Sequence, residues 1–241
     1  MIRMDERLNN LLQEQAQKYG VSLSEKQRQQ FDRYMDLLLH WNEKMNLTAI
    51  RDPEGVVIRH FADSLSLFSV VSLQAGMRVI DVGTGAGFPG IPLLIVCPQI
   101  ELTLLDSLNK RLIFLQEVLT QLGLSARCIH ARAEEGGRTP ELREQFDLAT
   151  ARAVAALPVL CEYCLPLVKV GGVFIAMKGP DADAERTAAA NALKKLGGQY
   201  ADTRAFTLPD GSERRLVVMK KISQTPTVYP RNGGKIAKKP L

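Results

Sequence analysis

Hydrophobic residues in the first quarter of the chain recur at helical spacing. They fall three or four positions apart between Leu8 and Gln15 and again between Leu37 and Met45, which is the periodicity of an amphipathic helix. Ser24 is followed three residues later by a glutamine, a capping-box pattern, so a second helix is predicted from Ser24 to about Lys44. No strand pattern occurs here, and residues 1–66 are expected to form a small helical extension.

From Met77 the pattern changes to short apolar stretches that alternate with amphipathic helices, as in a parallel sheet covered on both faces. Two further apolar stretches flank a Pro-Asp-Gly turn and predict a hairpin. Helices are expected after the first, second, fourth and fifth strands. The seven predicted strands are Arg78–Val82, Glu101–Asp106, Ala126–Ala131, Phe146–Ala151, Val173–Lys178, Tyr200–Leu208 and Arg214–Lys220. We therefore expect an α/β domain over residues 67–222, with five parallel strands and a C-terminal hairpin, and a basic tail over residues 223–241.

Charge distinguishes the end of the chain from the rest. The 241 residues are 46% apolar and 24% charged, which is ordinary for a folded soluble protein. The net charge is +5, yet the stretch from Arg214 to Leu241 carries eight cations and no acidic side chain, so the other 213 residues carry a net charge of −3. A basic end indicates a polyanionic partner such as nucleic acid. A solubilising tail explains the charge equally well.

Cysteine and histidine patterns do not predict a metal site. Cys161 and Cys164 form a C-x-x-C inside an apolar run, where residues three apart share a helix face, so we interpret them as buried core thiols. A structural zinc needs four ligands, and no second pair stands at suitable spacing. The chain start leads into polar helix formers without a secretory signal, and the longest apolar run, Ile91–Cys97, is too short to cross a bilayer. We expect a cytoplasmic monomer without a membrane partner.

The loop from Asp81 to Gly90 is the strongest chemical signal. A strand, a glycine turn and a helix start place free backbone N–H groups beside a ligand. Gly85-x-Gly87-x-x-Gly90 matches the dinucleotide fingerprint, and Asp106 follows about 20 residues later, as a ribose-binding carboxylate should. Gly83-x-Gly85-x-Gly87 matches equally well the loop of methyltransferases that use S-adenosylmethionine. Glycines that merely allow a tight turn are a third interpretation.

The setting of the loop favours methylation over hydride transfer. The C-terminal hairpin suits the class I, Rossmann-like fold of S-adenosylmethionine-dependent methyltransferases. The helical extension is a common kind of substrate-recognition element in that fold. The basic tail indicates a nucleic-acid target. In this architecture Glu134, after the third strand, faces the adenine of the cofactor; otherwise it is a helix-start charge stabilised by the helix dipole. Two rivals remain: an NAD-dependent oxidoreductase and a non-catalytic RNA-binding ribosome-maturation factor.

Four motifs resemble one family over nearly the whole chain: the glucose-inhibited division protein B family, bacterial guanine-N7 methyltransferases of small-subunit ribosomal RNA. The matching stretches are Trp41-Asn42-x-x-x-Asn46-Leu47-Thr48-Ala49-Ile50 with Arg59-His60-x-x-Asp63-Ser64-Leu65, Asp81-Val82-Gly83-Thr84-Gly85-x-Gly87-Phe88-Pro89-Gly90-Ile91-Pro92-Leu93, Leu105-Asp106-Ser107-x-x-Lys110-Arg111, and Tyr229-Pro230-Arg231-Asn232-x-Gly234-x-x-x-Lys238-x-Pro240-Leu241. The resemblance implies cofactor contacts at Gly83, Phe88, Ala133-Glu134 and Arg152, and a partner that is small-subunit ribosomal RNA or its assembly particle. The closing stretch departs from the family at Gly233-Gly234-Lys235-Ile236, where a proline is common.

Methylation of guanine N7 sets modest chemical demands. N7 carries a lone pair and no proton, so it attacks the methyl group directly, and positioning replaces a general base. Accordingly, no single catalytic residue is assigned. Arg152 and Lys178 end predicted strands, where ligands sit in open α/β sheets, and are candidates to position the base. Lys178 is equally well interpreted as a solvated strand end.

Methyltransferases that act on other target atoms have sequence motifs that this chain lacks. Methylation of an exocyclic amino group usually comes with an Asn/Asp-Pro-Pro-aromatic loop after the fourth strand, and Ala151-Arg152-Ala153-Val154 stands there instead. Methylation of cytosine C5 needs a cysteine nucleophile on a loop, whereas both cysteines of the C-x-x-C are predicted to be helical. Candidates for RNA contact are Arg59, His60, Arg231, Lys235, Lys238 and Lys239, although a histidine such as His60 more often has a structural role.

Overall fold

The computed structural model describes residues 3–241; residues 1 and 2 of the predicted helical extension lie outside this range. The extension begins with helices α1 (Glu6–Lys18) and α2 (Glu25–Met45). Asp5 caps α1, and the predicted capping box of Ser24 and Gln27 starts α2, because the capping side chains bond to backbone N–H groups that have no partner inside the helix. The prediction of a helix from Ser24 to about Lys44 is confirmed.

A broken helical segment connects α2 to the sheet. It consists of α3 (Pro53–Val56), a π-helical turn (Val57–Ala62), α4 (Asp63–Leu65) and a 3-10 turn (Ser66–Ser69). A π-helical turn holds more residues per turn than an α-helix and often marks a functional site. Here it carries two residues that the sequence singled out, Arg59 and His60.

The rest of the chain forms a seven-stranded sheet with helices on both faces. In chain order the elements are β1 (Arg78–Val82), α5 (Gly90–Val96), β2 (Glu101–Asp106), α6 (Asn109–Leu122), β3 (Arg127–His130), α7 (Ala133–Gly136), β4 (Phe146–Arg152), α8 (Leu157–Cys164), β5 (Val168–Lys178), α9 (Ala182–Ala188), α10 (Ala190–Leu196), β6 (Gly198–Thr207), β7 (Glu213–Lys221) and α11 (Gly233–Lys238). The predicted α/β class, five-strand alternation and hairpin are confirmed. Two helices, α7 and α11, were not predicted.

Strand order separates this sheet from the dinucleotide-binding one. The order is β3-β2-β1-β4-β5-β7-β6. The first five strands are parallel, but β7 lies antiparallel between β5 and β6, whereas the dinucleotide fold continues with a sixth parallel strand. β5 also starts at Val168 rather than at the predicted Val173, because the strand runs through Gly171 and Gly172, which as a sequence predict a turn.

The helical extension shares its core with the sheet. Leu12, Phe31 and Phe61 of the extension belong to the same buried cluster as Leu94 of α5 and Leu115 of α6. Two glutamines of α2 add polar connections: the Gln27 side chain donates to the Ile95 carbonyl over 3.1 Å, and the Gln30 side chain donates to the Leu122 carbonyl over 2.8 Å. Because the last carbonyls of a helix have no partner inside it, these bonds fix α2 against the ends of α5 and α6.

The basic end of the chain lies on the protein body, and four of its eight cations, Arg214, Arg215, Lys221 and Arg231, lie within 4 Å of a carboxylate. Lys221 is buried, its ammonium lies 3.0 Å from Glu144, and it donates to the Leu165 carbonyl over 2.6 Å. Arg231 forms an ion pair with buried Glu162. The side chains of Lys235, Lys238 and Lys239 are exposed, so the tail presents part of its charge to solvent.

Candidate active site

The loop between β1 and α5 depends on three glycines with positive φ. Gly83, Gly85 and Gly87 have φ angles of 68°, 59° and 97°, which other residues rarely adopt. A Cβ on Gly87 would also lie 2.5 Å from the Tyr34 hydroxyl oxygen, and one on Gly83 would lie 2.7 Å from a methyl group of Val154. A Cβ on Gly85 would meet no heavy atom nearer than 4.0 Å, so this part of the loop leaves room for a ligand.

Asp81, at the start of the loop, holds two loop residues by hydrogen bonds. The carboxylate is fully buried, and one of its oxygens accepts from the Thr84 hydroxyl over 2.7 Å and from the Gly90 backbone N–H over 2.8 Å. Its other oxygen has no hydrogen-bond donor within residues 3–241. Burial raises the pKa of Asp81 to about 6, because a carboxylate loses its hydration there. Asp81 therefore orders the loop at an electrostatic cost.

Asp81→Asn should make the protein less sensitive to pH. The pKa is raised in the folded state above its unfolded value, about 3.9, so the protonated carboxyl contributes stability that is fully present below about pH 4 and is lost as pH rises through about 6. Asparagine keeps both acceptor contacts without ionising. The free energy of unfolding of the variant relative to wild type should increase by about 2–3 kcal/mol between pH 4 and pH 7, measured by urea denaturation. A difference that stays constant over this range would contradict the assignment.

Two carboxylates stand beside the loop at the ends of β2 and β3. Asp106 accepts from the Gly85 N–H over 2.9 Å and from the Leu108 N–H over 2.9 Å, and it lies 3.2 Å from the Arg111 guanidinium. Glu134, at the start of α7, is buried, and its carboxylate accepts no hydrogen bond from the residues that the structure describes. Its oxygens are not among the fully enclosed atoms that lack a partner, so a donor from a ligand can reach them, and Glu134 is suited to accept one.

The predicted cofactor contact of Phe88 stays a prediction, and its side chain lies inside the protein. Its ring is buried and stacks on the rings of Tyr34 and His60, at centroid distances of 5.2 Å and 4.3 Å. The Arg152 guanidinium lies 5.1 Å from the centre of the same ring. Since protein side chains surround the ring, a ligand over the loop would meet the backbone at this position. The phenyl group instead joins the loop to the helical extension.

Tyr34 completes this connection and was not found from sequence. Its hydroxyl donates to the carbonyl of Ala86 in the glycine loop, and burial raises the pKa of this phenol well above its ordinary value. In the sequence Tyr34 is one aromatic residue on the apolar face of a helix, which predicts only a core position.

Arg152, at the end of β4, is the centre of a polar cluster. Its guanidinium donates to the Asp63 carboxylate over 2.8 Å, to the Arg59 carbonyl over 2.9 Å and to His60 Nδ1 over 2.9 Å. Asp63 is buried, and its second oxygen lies 3.5 Å from Arg214 Nε. Sequence reasoning missed Asp63 and Arg214 as site residues, although Asp63 belongs to the Arg59-His60-x-x-Asp63 motif.

His60 is held as a neutral ring. Burial, followed by the neighbouring charge of Arg152, places the pKa of His60 well below its ordinary value. Because Nδ1 accepts from Arg152, Nε2 carries the hydrogen and donates to the Thr48 hydroxyl over 2.9 Å. Both ring nitrogens are thus used inside the protein, which favours the structural interpretation of His60. Its proposed RNA contact stays a prediction.

A pocket of about 420 Å³ opens beside this cluster. Among the side chains that line it are Arg59, His60, Asp63, Arg152, Lys178 and Arg214. Lys178 is mostly buried and lies 2.7 Å from Glu185, so it is not a solvated strand end. Arg59 reaches out to Asp210 in the β6–β7 turn over 2.6 Å. The pocket is therefore rich in cations, most of which are fixed by carboxylates.

Over residues 3–241, the side chains offer no cluster of histidine, cysteine and carboxylate groups suited to a metal ion. Cys161 and Cys164 are buried free thiols in α8, as predicted, and burial raises the pKa of both. No helix in the same range has the length and apolar character needed to span a bilayer.

Several ribosomal RNA methyltransferases are similar to this chain over nearly its whole length. A family model described as GidB, rRNA small subunit methyltransferase G, matches residues 27–217. The ribosomal RNA small subunit methyltransferase G of Acetivibrio thermocellus is 51% identical over 99% of this chain and 100% of its own length. The protein of the same name from Halalkalibacterium halodurans is 52% identical over 92% of this chain and 94% of its own length.

Solved structures share the fold at low sequence identity. TrmN from Thermus thermophilus has a TM-score of 0.53 and 21% identity, covering 69% of this chain and 53% of its own. The YcgJ protein from Bacillus subtilis has a TM-score of 0.52 and 14% identity, covering 68% of this chain and 100% of its own. The fold is the Rossmann-like methyltransferase fold. Because a neighbour with a TM-score of 0.53, SpnF, is named as a cyclase, the fold alone does not determine the reaction.

Proposed function

Because this chain belongs to the GidB family of rRNA small subunit methyltransferases, we propose that it transfers the methyl group of S-adenosylmethionine to N7 of one guanine in small-subunit, 16S, ribosomal RNA. The observation that carries the proposal beyond family membership is the position of Arg152. Its guanidinium lies over Phe88 of the glycine loop and also lines the cation-rich pocket. One side chain thus connects a cofactor loop with a space for the target base.

The residues around the loop fit the cofactor. Gly85 leaves the backbone open for the amino-acid end, since an added Cβ would meet no atom nearer than 4.0 Å, and Asp106 stands at the end of β2, where a carboxylate meets ribose hydroxyls. Asp106 already accepts three contacts, but two carboxylate oxygens offer about four acceptor sites. Ala133 and Glu134 would receive the adenine, whose amino group supplies the donor that Glu134 lacks. When bound, the cofactor provides an electrophilic methyl group on a sulfonium.

Arg152 is suited to hold the target base. A guanidinium has five N–H donors, and three are used for Asp63, Arg59 and His60, which leaves two for a substrate. Guanine presents O6 and N7 as acceptors on one edge, and a donor to O6 leaves the N7 lone pair free to attack. Lys178 and Arg214 add positive charge to the same pocket. Positioning of the base, without a general base, is the contribution of the protein.

The reaction is tested by nucleoside analysis. We expect ribosomal RNA from cells without the gene to lack one 7-methylguanosine per small subunit, and the purified protein with S-adenosylmethionine to restore it. Naked 16S RNA, assembly particles and complete subunits are compared as substrates. Equal amounts of 7-methylguanosine with and without the gene would refute the proposal, and RNA binding without methyl transfer would favour a non-catalytic maturation factor.

The exposed lysines of the tail are proposed to bind RNA phosphates. Arg231 is engaged with Glu162, so Lys235, Lys238 and Lys239 remain as the exposed cations of this segment. Changing all three to glutamine should weaken RNA binding and lower the slope of log affinity against log salt by about 2–3, since each phosphate contact contributes about 0.7–0.9. Filter binding at several salt concentrations measures the slope.

A matched control is available on α10. Lys194 and Lys195 are also exposed, and their change to glutamine should leave the slope nearly unaltered. Affinity for S-adenosylhomocysteine should be the same in both variants. An unchanged salt slope in the triple variant would show that the tail does not contact RNA.

A further inference from the structure

The last part of the chain, residues 229–241, is anchored on the protein body; we call it the C-terminal segment. The Arg231 backbone N–H donates to Glu162 over 2.7 Å, and the Arg231 guanidinium donates to both oxygens of the same carboxylate over 2.9 Å and 2.6 Å. Glu162 lies on α8 and is completely buried. A charge-assisted pair with two parallel bonds has a defined geometry, so it fixes the position of the C-terminal segment on the surface.

The C-terminal segment also contacts α7, the helix that carries Glu134. Arg143 donates to the carbonyls of Gly137 and Tyr229, over 2.9 Å each, and so joins the residue after α7 to the start of the segment. Ile236 of α11 is fully buried. These contacts hold the segment against the part of the site where the third strand ends.

Gly233 is the residue that lies directly over the Glu134 carboxylate. A Cβ added to Gly233 would overlap Glu134 Oε1, whereas a Cβ on the next residue, Gly234, would come no nearer than 3.8 Å to any atom outside its immediate neighbours. The backbone of Gly233 has an ordinary φ, so an alanine there would not strain the backbone, but its Cβ and the Glu134 carboxylate could not both keep their present positions. The close approach therefore depends on the missing side chain.

From this contact we infer that residues 231–234 form one wall of the adenine pocket and close it over Glu134. The inference rests on the proposed function, in which Glu134 receives the adenine amino group. Glu134 is only 7% exposed, and its carboxylate has no hydrogen-bond donor among the described residues. A hydrogen bond formed in such a place is stronger than one in water. Closure by the C-terminal segment and binding of the adenosine part consequently stabilise each other.

Two variants loosen the wall in different ways. Gly233→Ala forces the Glu134 carboxylate and the segment apart, and Glu162→Gln removes the charged anchor of Arg231 at a distance from the cofactor without leaving an unpaired buried carboxylate. Both should weaken binding of S-adenosylhomocysteine by at least tenfold in calorimetry. They should weaken binding of adenosine by a similar factor, because the wall acts on the part that the two ligands share. Gly234→Ala is the matched control and should change either affinity less than threefold.

A measurement on the wild-type protein is independent of whether the variants fold. Addition of S-adenosylhomocysteine should slow amide hydrogen exchange in residues 229–241, whereas loops remote from the site, such as the one around Gly76, should be unaffected. Wild-type protein that does not bind S-adenosylhomocysteine would refute the proposed function itself. Wild-type binding with unchanged exchange, or with both variants matching Gly234→Ala, would overturn the wall. Tighter binding by Glu162→Gln would overturn it too, since the segment would then compete with the adenine.

Discussion

Gly83→Asp should abolish binding of S-adenosylhomocysteine, with a loss of affinity of at least 100-fold in calorimetry. Gly83 has a φ of 68°, and any Cβ there would lie 2.7 Å from a methyl group of Val154. An aspartate therefore strains the backbone by about 1–2 kcal/mol and must displace the side chain of Val154, which follows β4. Its carboxylate would also occupy the space above the loop that the amino-acid end of the cofactor needs.

Gly76→Asp is a control that distinguishes the effect of backbone strain from the loss of a ligand site in Gly83→Asp. Gly76 has a φ of 76°, and an added Cβ would meet no atom within 4 Å. This variant should show a similar small loss of stability and full affinity for the cofactor. If Gly83→Asp bound S-adenosylhomocysteine as tightly as Gly76→Asp, the loop between β1 and α5 would not be the cofactor site.

Arg152→Gln should both destabilise the protein and stop methylation. The change leaves Asp63, whose side chain is only 3% exposed, as a buried carboxylate with Arg214 at 3.5 Å as its remaining cation. Breaking a buried ion pair in this way costs about 3–5 kcal/mol. The rate of methyl transfer to 16S RNA should fall by at least about 100-fold, comparable to the loss of one preorganised donor in other active sites.

The double variant Asp63→Asn/Arg152→Gln distinguishes the two roles of Arg152. With the buried charge removed, most of the lost stability should return in urea denaturation, because two amides can bond to each other. Methyl transfer should remain as low as in the single variant. Recovery of activity together with stability would mean that Arg152 acts only on the fold.

The sequence was informative where local signals decide the structure. Ser24 and Gln27 identify the start of α2, and strand–glycine–helix spacing identifies the loop at Asp81. The difference at the start of β5 has a local cause as well: Gly171 and Gly172 are typical of turns, and they lie in an irregular stretch of β5, where its pairing with β4 shifts between Val168 and Val173. The antiparallel insertion of β7 beside β5 depends on which strand edges are available in the folded sheet. A short stretch of sequence does not contain this information.

The candidate site was predictable in part for a related reason. Asp106 and Arg152 end strands, and ligands gather at strand ends in this architecture. The contacts that hold these residues join distant parts of the chain: Tyr34 to Ala86, Asp63 to Arg152, and Gly233 to Glu134. Contacts between residues so far apart in sequence produce no periodic pattern from which they could be predicted. For the same reason the basic tail predicted a surface for phosphates but not the pairing of Arg231 with Glu162.

The π-helical turn at Val57–Ala62 makes the length of this stretch matter as much as its composition. Arg59 and His60 lie within the turn and Asp63 follows it, and through one backbone carbonyl, one ring nitrogen and one carboxylate all three accept from Arg152. In an α-helix each residue advances the chain by about 100° around the axis. A deletion of one residue that restored α-helical geometry would therefore change the angles at which Arg59, His60 and Asp63 face Arg152 relative to one another. Comparisons between relatives should accordingly find substitutions tolerated in this stretch more readily than gaps.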